Sequence, residues 1–208
     1  MLRFLTAGES HGKCLVAILE GMVAGLPVRP EDIDAELARR QEGYGRGGRM
    51  TIEKDRAESL SGIRANKTIG GPIALLIPNK DFKINELPIV KRPRPGHADL
   101  VGVMKYGRGD VRDILERASA RETTSRVAVG AVCKAFLREF GVEILSHVVS
   151  IGGVTFDASG MKFEEIRKKA STSPMHCADP AATKKMMARV EVARKTKDTI
   201  GGVFEIIV

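Results

Sequence analysis

His11 and His97 each stand beside glycine in a short polar loop, Gly8-Glu9-Ser10-His11-Gly12 and Arg94-Pro95-Gly96-His97-Ala98-Asp99. An imidazole placed there can project into a cleft and exchange its proton near neutral pH. Either one alone reads as a surface histidine, and the arginines around them give them weight. Arg40, Arg46 and Arg49 flank a glycine-rich turn, Arg94 precedes His97, and Arg117 and Arg121 enclose Ala118 and Ser119. Guanidiniums match the geometry of carboxylates and phosphates, so convergence of these loops would give an anion site with two groups for proton transfer. His147, in an alternating stretch, and His176, in a polar loop, read as structural. No nucleophile elbow, P-loop or metal-ligand spacing is present, and Cys14, Cys133 and Cys177 are isolated from one another, so no metal is expected.

The element best suited to position these groups covers residues 116–137. Ser119 followed by Glu122 forms a capping box, which predicts a helix start there. From Val127 to Leu137 the only charged residue is Lys134, and a helix apolar on all sides belongs inside a fold. Its N-terminal end, with Arg117, Arg121, Glu122 and Arg126, reads either as an anion site or as solvated surface charge. Strand-like runs are expected at 2–6, 14–19, 50–53, 60–63, 72–78, 142–156 (broken at Gly152-Gly153) and 199–208. Helices are expected at 30–41, 161–170 and 180–195, with loops at 21–30 and 81–94 and a polar turn at 65–67. Together these predict an α+β protein, antiparallel β-sheets sandwiching a helical layer. Gly43, Gly45 and Gly48 match G-x-G-x-x-G, but the motif follows a helix and precedes a strand-like run, the wrong context for a dinucleotide fold.

Composition narrows the partners. The net charge of +8 over 208 residues suits nucleic acid, an anionic surface or multiply charged small molecules. Aromatic residues are only 4% with no Trp, which argues against a base-stacking platform for single strands. A basic nucleic-acid-binding module built on the Arg-Gly turn nevertheless stands as a second reading. Glu9, His11, Lys13 and Glu20 break any signal-peptide core, no run is long enough for a membrane span, and the scattered cysteines fit a reducing cytoplasm. With no repeat and no linker, residues 1–208 read as one domain. The chain stops on Ile206-Ile207-Val208, an apolar strand-like terminus that suggests truncation.

The motifs resemble the chorismate synthase family. Ala7-Gly8-Glu9-Ser10-His11-Gly12 is similar to its first signature, and Arg39-Arg40-Gln41 through Gly45-Arg46-Gly47-Gly48-Arg49-Met50 to its arginine-rich segment. Arg92-Pro93-Arg94-Pro95-Gly96-His97-Ala98-Asp99 is similar to its second-histidine loop. Arg117-Ala118-Ser119-Ala120-Arg121-Glu122-Thr123, with Arg126-Val127-Ala128 and Gly130-Ala131, is similar to the signature that follows. All occur in the family's order across most of the chain.

The resemblance implies elimination of phosphate from 5-enolpyruvylshikimate 3-phosphate to give chorismate, with reduced FMN required although there is no net redox change. It implies that His11 protonates the departing phosphate and that His97 acts on the flavin near N1 and O2. Arg40, Arg46, Arg49, Arg94 and Arg121 would hold the substrate's phosphate and carboxylates, and Arg117, Ala118 and Ser119 would contact FMN. Arg40 and Arg46 also mark where some members are credited with contacts to NADPH, the flavin reductant. A homotetramer is implied as well. Family members are longer, and their C-terminal portion is implied to carry much of the FMN site and a proton-relaying aspartate. The expectation is therefore a fragment or shortened form, with an inactive scaffold of the same fold as the alternative.

Overall fold

Alternation along one strand builds the centre of the first sheet. Leu15, Ala17 and Leu19 are buried on one face, and across the antiparallel pairing they meet Ile77, Leu75 and Ile73, which are equally buried. Fully burying each such leucine or isoleucine stabilises the fold by roughly 1.5–3 kcal/mol. The computed structural model describes residues 1–46 and 52–208. Its described residues group into two units, one drawn from 1–40 and 49–136, the other from 41–48 and 137–208.

In chain order the first unit contains β1 (Arg3–Gly8), β2 (Cys14–Glu20), β3 (Ala24–Pro27), α1 (Pro30–Gln41), β4 (Glu58–Ser61), β5 (Ile63–Arg64), β6 (Lys67–Ile69) and β7 (Ile73–Pro78). After these come α2 (Asp99–Tyr106), α3 (Arg112–Arg117), a single 3-10 turn (Ala120–Glu122) and α4 (Thr123–Arg138), whose last two residues fall in the second unit. The main sheet runs β1-β2-β7-β4 and a smaller one β3-β6-β5, with every pairing antiparallel. Ala65 and Asn66 take positive φ in the two-residue turn that joins β5 to β6. That geometry matches the twist of the flanking strands.

The 123–138 helix is lined with core residues as its composition predicts. Ala128, Val129, Ala131, Val132 and Ala135 pack in one cluster with Ile33 and Leu37 of α1 and the inner faces of β2 and β7. Lys134 meets Glu36 of α1 in a close ion pair, which satisfies the one charge in the apolar stretch. The guanidinium and ammonium of Arg39 and Lys134 hold the Glu36 carboxyl below its ordinary range, against the opposing effect of burial.

The second unit contains β8 (Leu145–Ile151), β9 (Val154–Thr155), α5 (Phe163–Ser171), α6 (Pro180–Thr196) and β10 (Gly202–Ile207), with an antiparallel sheet ordered β10-β8-β9. Its core joins Met175, Cys177, Ala182 and Met186 to Tyr44, Val148 and Phe156. Asp179 caps α6 by accepting the Ala182 N–H, with Pro180 at the first helical position. His147 is buried, as a structural histidine should be, and its Nε2 lies 3.1 Å from Glu205.

The α+β class with antiparallel sheets is the one the sequence predicts, and differences are local. The expected loop at 21–30 contains β3, because Leu26 has a core position to fill and its N–H finds the Thr68 hydroxyl. The capping box forms only in part: the Ser119 hydroxyl accepts from the Arg121 N–H, while Glu122 turns to Thr6 and Arg126. Of the strand expected at 50–53, Met50 and Thr51 lie outside the described residues, and Glu53 is irregular.

Gly8, which ends β1 and starts the His11 loop, has φ +109°. A Cβ there would lie 2.4 Å from the Cys14 carbonyl oxygen and 2.9 Å from Leu15 Cα, both backbone atoms that cannot swing aside. Gly8→Ala should therefore destabilise the protein by about 2–4 kcal/mol, combining left-handed backbone strain with overpacking. Thermal unfolding of the variant checks this, and an unchanged midpoint would show that the turn is not constrained.

Candidate active site

The loop between β1 and β2 carries His11, and α3 supplies its partner. The buried Glu116 carboxylate accepts the His11 backbone N–H at 2.7 Å and lies 2.9 and 3.0 Å from ring Nδ1. The Glu116 carbonyl accepts the Ser10 N–H at 3.0 Å, and Arg112 donates to Oε1 from one turn earlier in α3. On the opposite edge of the ring, Nε2 lies 3.4 Å from Asp81, which also pairs with Lys83 at 2.7 Å. The His11 carbonyl accepts the N–H groups of Lys83 and Ile84, so the loop after β7 is fastened to the imidazole's own backbone.

Behind this lies a second polar cluster. Arg121 is 4% exposed and donates through Nη1 to both oxygens of Asp55, at 2.6 and 2.7 Å, and through Nε to Asn79 Oδ1 at 2.8 Å. Glu53 approaches Arg121 at 3.8 Å and accepts the N–H groups of Lys80 and Asp81. Arg40 brings its guanidinium to Asp55 at 3.6 Å and donates to the Ala120 carbonyl and the Thr123 hydroxyl. The Asn79 amide then donates to the carbonyls of Glu9 and Gly12 at 3.1 and 2.7 Å, joining this cluster to the His11 loop. Among the described residues of this cluster, two guanidiniums face two carboxylates.

Positive charge in excess lies nearer the surface. Arg117 donates to the carbonyls of Thr6 and Gly8, and it shares Glu122 with Arg126. These arginines and the Thr6 hydroxyl draw the Glu122 carboxyl below its ordinary range although burial opposes them. Ala118 is exposed and Ser119 half-buried. Beside them a cavity of about 580 Å³ opens over Val101, Gly102, Tyr106 and Ile114, with Arg108, Asp113 and Arg117 at its polar edge.

The second-histidine loop is closed by one residue pair. Arg94 donates to Asp99 from its backbone N–H, Nε and Nη2 at 2.9–3.0 Å, and the Asp99 carboxylate is fully buried at the start of α2. Hydrogen bonding from the Arg94 guanidinium, ahead of burial, lowers the Asp99 carboxyl to about 2. His97 is exposed between them.

Of the residues singled out by sequence, His11, Arg40, Arg94, Arg117, Ala118, Ser119 and Arg121 lie in the first unit with His97. Arg46 is exposed in the second, its side chain folded toward Gly43, and Arg49 lies outside the described residues. Sequence reasoning did not single out Asp55, Asn79, Asp81 or the partnership of Glu116 with His11. A polar Asn-Lys-Asp segment directly after a core strand was the available signal for two of them.

A half-buried imidazole on a buried carboxylate and several guanidiniums at the start of the core helix are set in an α+β fold with antiparallel sheets. The comparisons are specific. A family model described as chorismate synthase matches residues 2–208. The chorismate synthase of Geobacillus thermodenitrificans is 51% identical over an alignment of 222 positions that takes in 100% of this chain and 57% of the relative, and that of Listeria welshimeri is 49% identical with the same shares. A solved structure described as a crystal structure of chorismate synthase has 46% sequence identity and a TM-score of 0.82 over 99% of this chain and 57% of that one. This chain belongs to the chorismate synthase family. It spans 57% of the length of the curated relatives it matches.

Two outcomes follow from the buried pairs. Arg121→Met leaves the Asp55 carboxylate buried without its 2.6 Å guanidinium contact, and should cost about 3 kcal/mol or more, read as a lower urea midpoint at unchanged slope. The lowered Asp99 carboxyl stabilises the fold above its ordinary value of 3.8, and that stability is lost as pH falls toward about 2. Thermal midpoints of wild type and Asp99→Asn should therefore differ at neutral pH and converge between about pH 4 and pH 2. A difference that persists at the acid end would assign the effect to packing.

Proposed function

We propose that this chain acts in the elimination of phosphate from 5-enolpyruvylshikimate 3-phosphate to give chorismate, the reaction named by its family. The observation that carries the reading is the His11 imidazole, held at Nδ1 by buried Glu116 with Nε2 turned to the Asp81–Lys83 pair. An acid is needed where charge collects on a leaving phosphate, and a ring fixed along one edge presents the other with little reorganisation. His11 donates from Nε2 to the phosphate oxygen as the C–O bond breaks, and the incoming anion takes the place of Asp81. Lys83, released from that carboxylate, is then available to the phosphate. Arg40, Arg46, Arg49, Arg94 and Arg121 belong to the proposed substrate set, and the geometry grades them. Arg94 must loosen its hold on Asp99 to reach a ligand, and Arg121 and Arg40 act chiefly by fixing the loop that carries His11.

The residues present fit reduced FMN at one edge. The cavity beside Arg117, Ala118 and Ser119 offers an apolar wall for a planar ring, with a guanidinium at its margin for acceptor atoms. Bound reduced FMN would supply electron density for C–O cleavage and end the cycle reduced. His97, exposed on its loop, would hold or move a proton at the flavin N1 and O2 edge. NADPH as flavin reductant, with contacts from Arg40 and Arg46, a homotetramer and a cytoplasmic location complete the proposal. No helix among the described residues is long and apolar enough to cross a membrane.

Under anaerobic conditions with reduced FMN, the chain should bind the substrate and release phosphate and chorismate in equal amounts. His11→Ala should lower turnover by about 10²–10⁴-fold with far smaller loss of substrate affinity, and His97→Ala should behave alike. Substrate binding without phosphate release would overturn the catalytic reading. Salt-sensitive oligonucleotide binding with no substrate binding would replace it with the nucleic-acid one.

A further inference from the structure

The ligand set of Glu116 is unusual for a residue that merely fills space. The side chain is inaccessible to solvent, yet its carboxylate receives the His11 backbone N–H, His11 Nδ1 and Arg112 Nη1. Burying a carboxylate is costly unless it is paired and hydrogen-bonded, and here most of the pairing is directed at a single residue 105 positions away. A carboxylate only accepts hydrogen bonds, so the ring nitrogen facing it must carry the proton. Arg112 and the backbone N–H fix the carboxylate, and the carboxylate in turn fixes the ring.

We propose that Glu116 is the positioning residue of His11: it sets Nδ1 as the permanent donor and Nε2 as the one atom that exchanges a proton with substrate. This rests on the reading of His11 as the acid for the departing phosphate. The imidazolium carries N–H groups at both nitrogens, and Glu116 stabilises that cation through Nδ1. When the Nε2–H bond breaks, an O–H bond forms on the leaving phosphate and the ring remains as the neutral Nδ1–H form, which Glu116 continues to hold. The C–O electron pair leaves with the phosphate, the electrons of the substrate ring C–H bond that breaks complete the new double-bond system while its proton passes out to solvent, and Nε2 regains its proton from solvent. Glu116 itself stays a carboxylate throughout. Among the described residues, the charged groups paired with the ring include Glu116, backed by Arg112, on one edge and Asp81, backed by Lys83, on the other. The Glu116 carboxylate is fully buried whereas Asp81 and Lys83 are partly open to solvent, so the Nε2 edge is the one placed to give way to a ligand.

Nitrogen-resolved NMR of the imidazole in the intact chain tests the assignment without any substrate. The neutral His11 ring should be the Nδ1–H tautomer in wild type and a mixture of tautomers in Glu116→Gln, a substitution of nearly equal volume. In turnover, Glu116→Gln should lower kcat by about 10–100-fold while KM for 5-enolpyruvylshikimate 3-phosphate stays within about threefold. A wild-type ring in the Nε2–H form overturns the proposal whatever the kinetics, and so does a Glu116→Gln variant with full turnover. If wild type releases no phosphate, the functional reading fails separately, and the tautomer still decides the role of Glu116.

Discussion

The contact between Arg121 and Asp55 holds the polar half of the first unit in place. It fixes the 3-10 turn just before α4 against the segment that precedes β4, and it does so where solvent cannot compete. Pairs of this kind are worth little as a net gain over a well-packed apolar alternative, because desolvation offsets most of the attraction. Their value is directional. Two oxygens of Asp55 and one of Asn79 leave the guanidinium one orientation, and the start of the core helix inherits it. Arg40 and Glu53 stand beside the pair, so among the described residues each charge in the cluster lies near one of opposite sign.

That arrangement divides the arginines by task. Arg121 and Arg40 are committed to carboxylates and carbonyls inside the protein, whereas Arg117 and Arg126 share one carboxylate and leave a net positive field near the surface. An incoming dianion is attracted to where charge is in excess, not to where arginines are most numerous. His11 stands between the two environments, tied to the interior by Glu116 and, through the backbone of its loop, by Asn79. The chemistry of the loop therefore depends on residues that never need to touch a ligand.

Much of the fold was legible because its signals are local. The short continuous apolar runs of β2 and β7 and the all-apolar stretch of α4 each appear within a short window, and the glycine-broken hairpin of β8 and β9 does too. Helices α2 and α3 were missed, since 99–117 mixes glycine, charge and short apolar runs without a clear period. The histidines and arginines of the proposed site were singled out by type and by neighbouring glycines. Their partners were not: Asp55 is 66 positions from Arg121 and Glu116 is 105 from His11, and no spacing rule reaches so far. Sequence alone also could not show that Arg121 points inward, because the acid that draws it there lies in an unremarkable polar stretch.

Asn79 shows how narrow the chemical tolerance of such a centre is. Its amide accepts from a cation at one end and donates to two carbonyls at the other. Aspartate has nearly the same shape, would serve Arg121 at least as well, and would repel both carbonyls of the His11 loop. Exchange of a single NH₂ for oxygen thus changes attraction into repulsion with almost no change of volume. The loop that carries His11 is aligned by the polarity of one amide, a form of selective recognition turned inward on the protein itself.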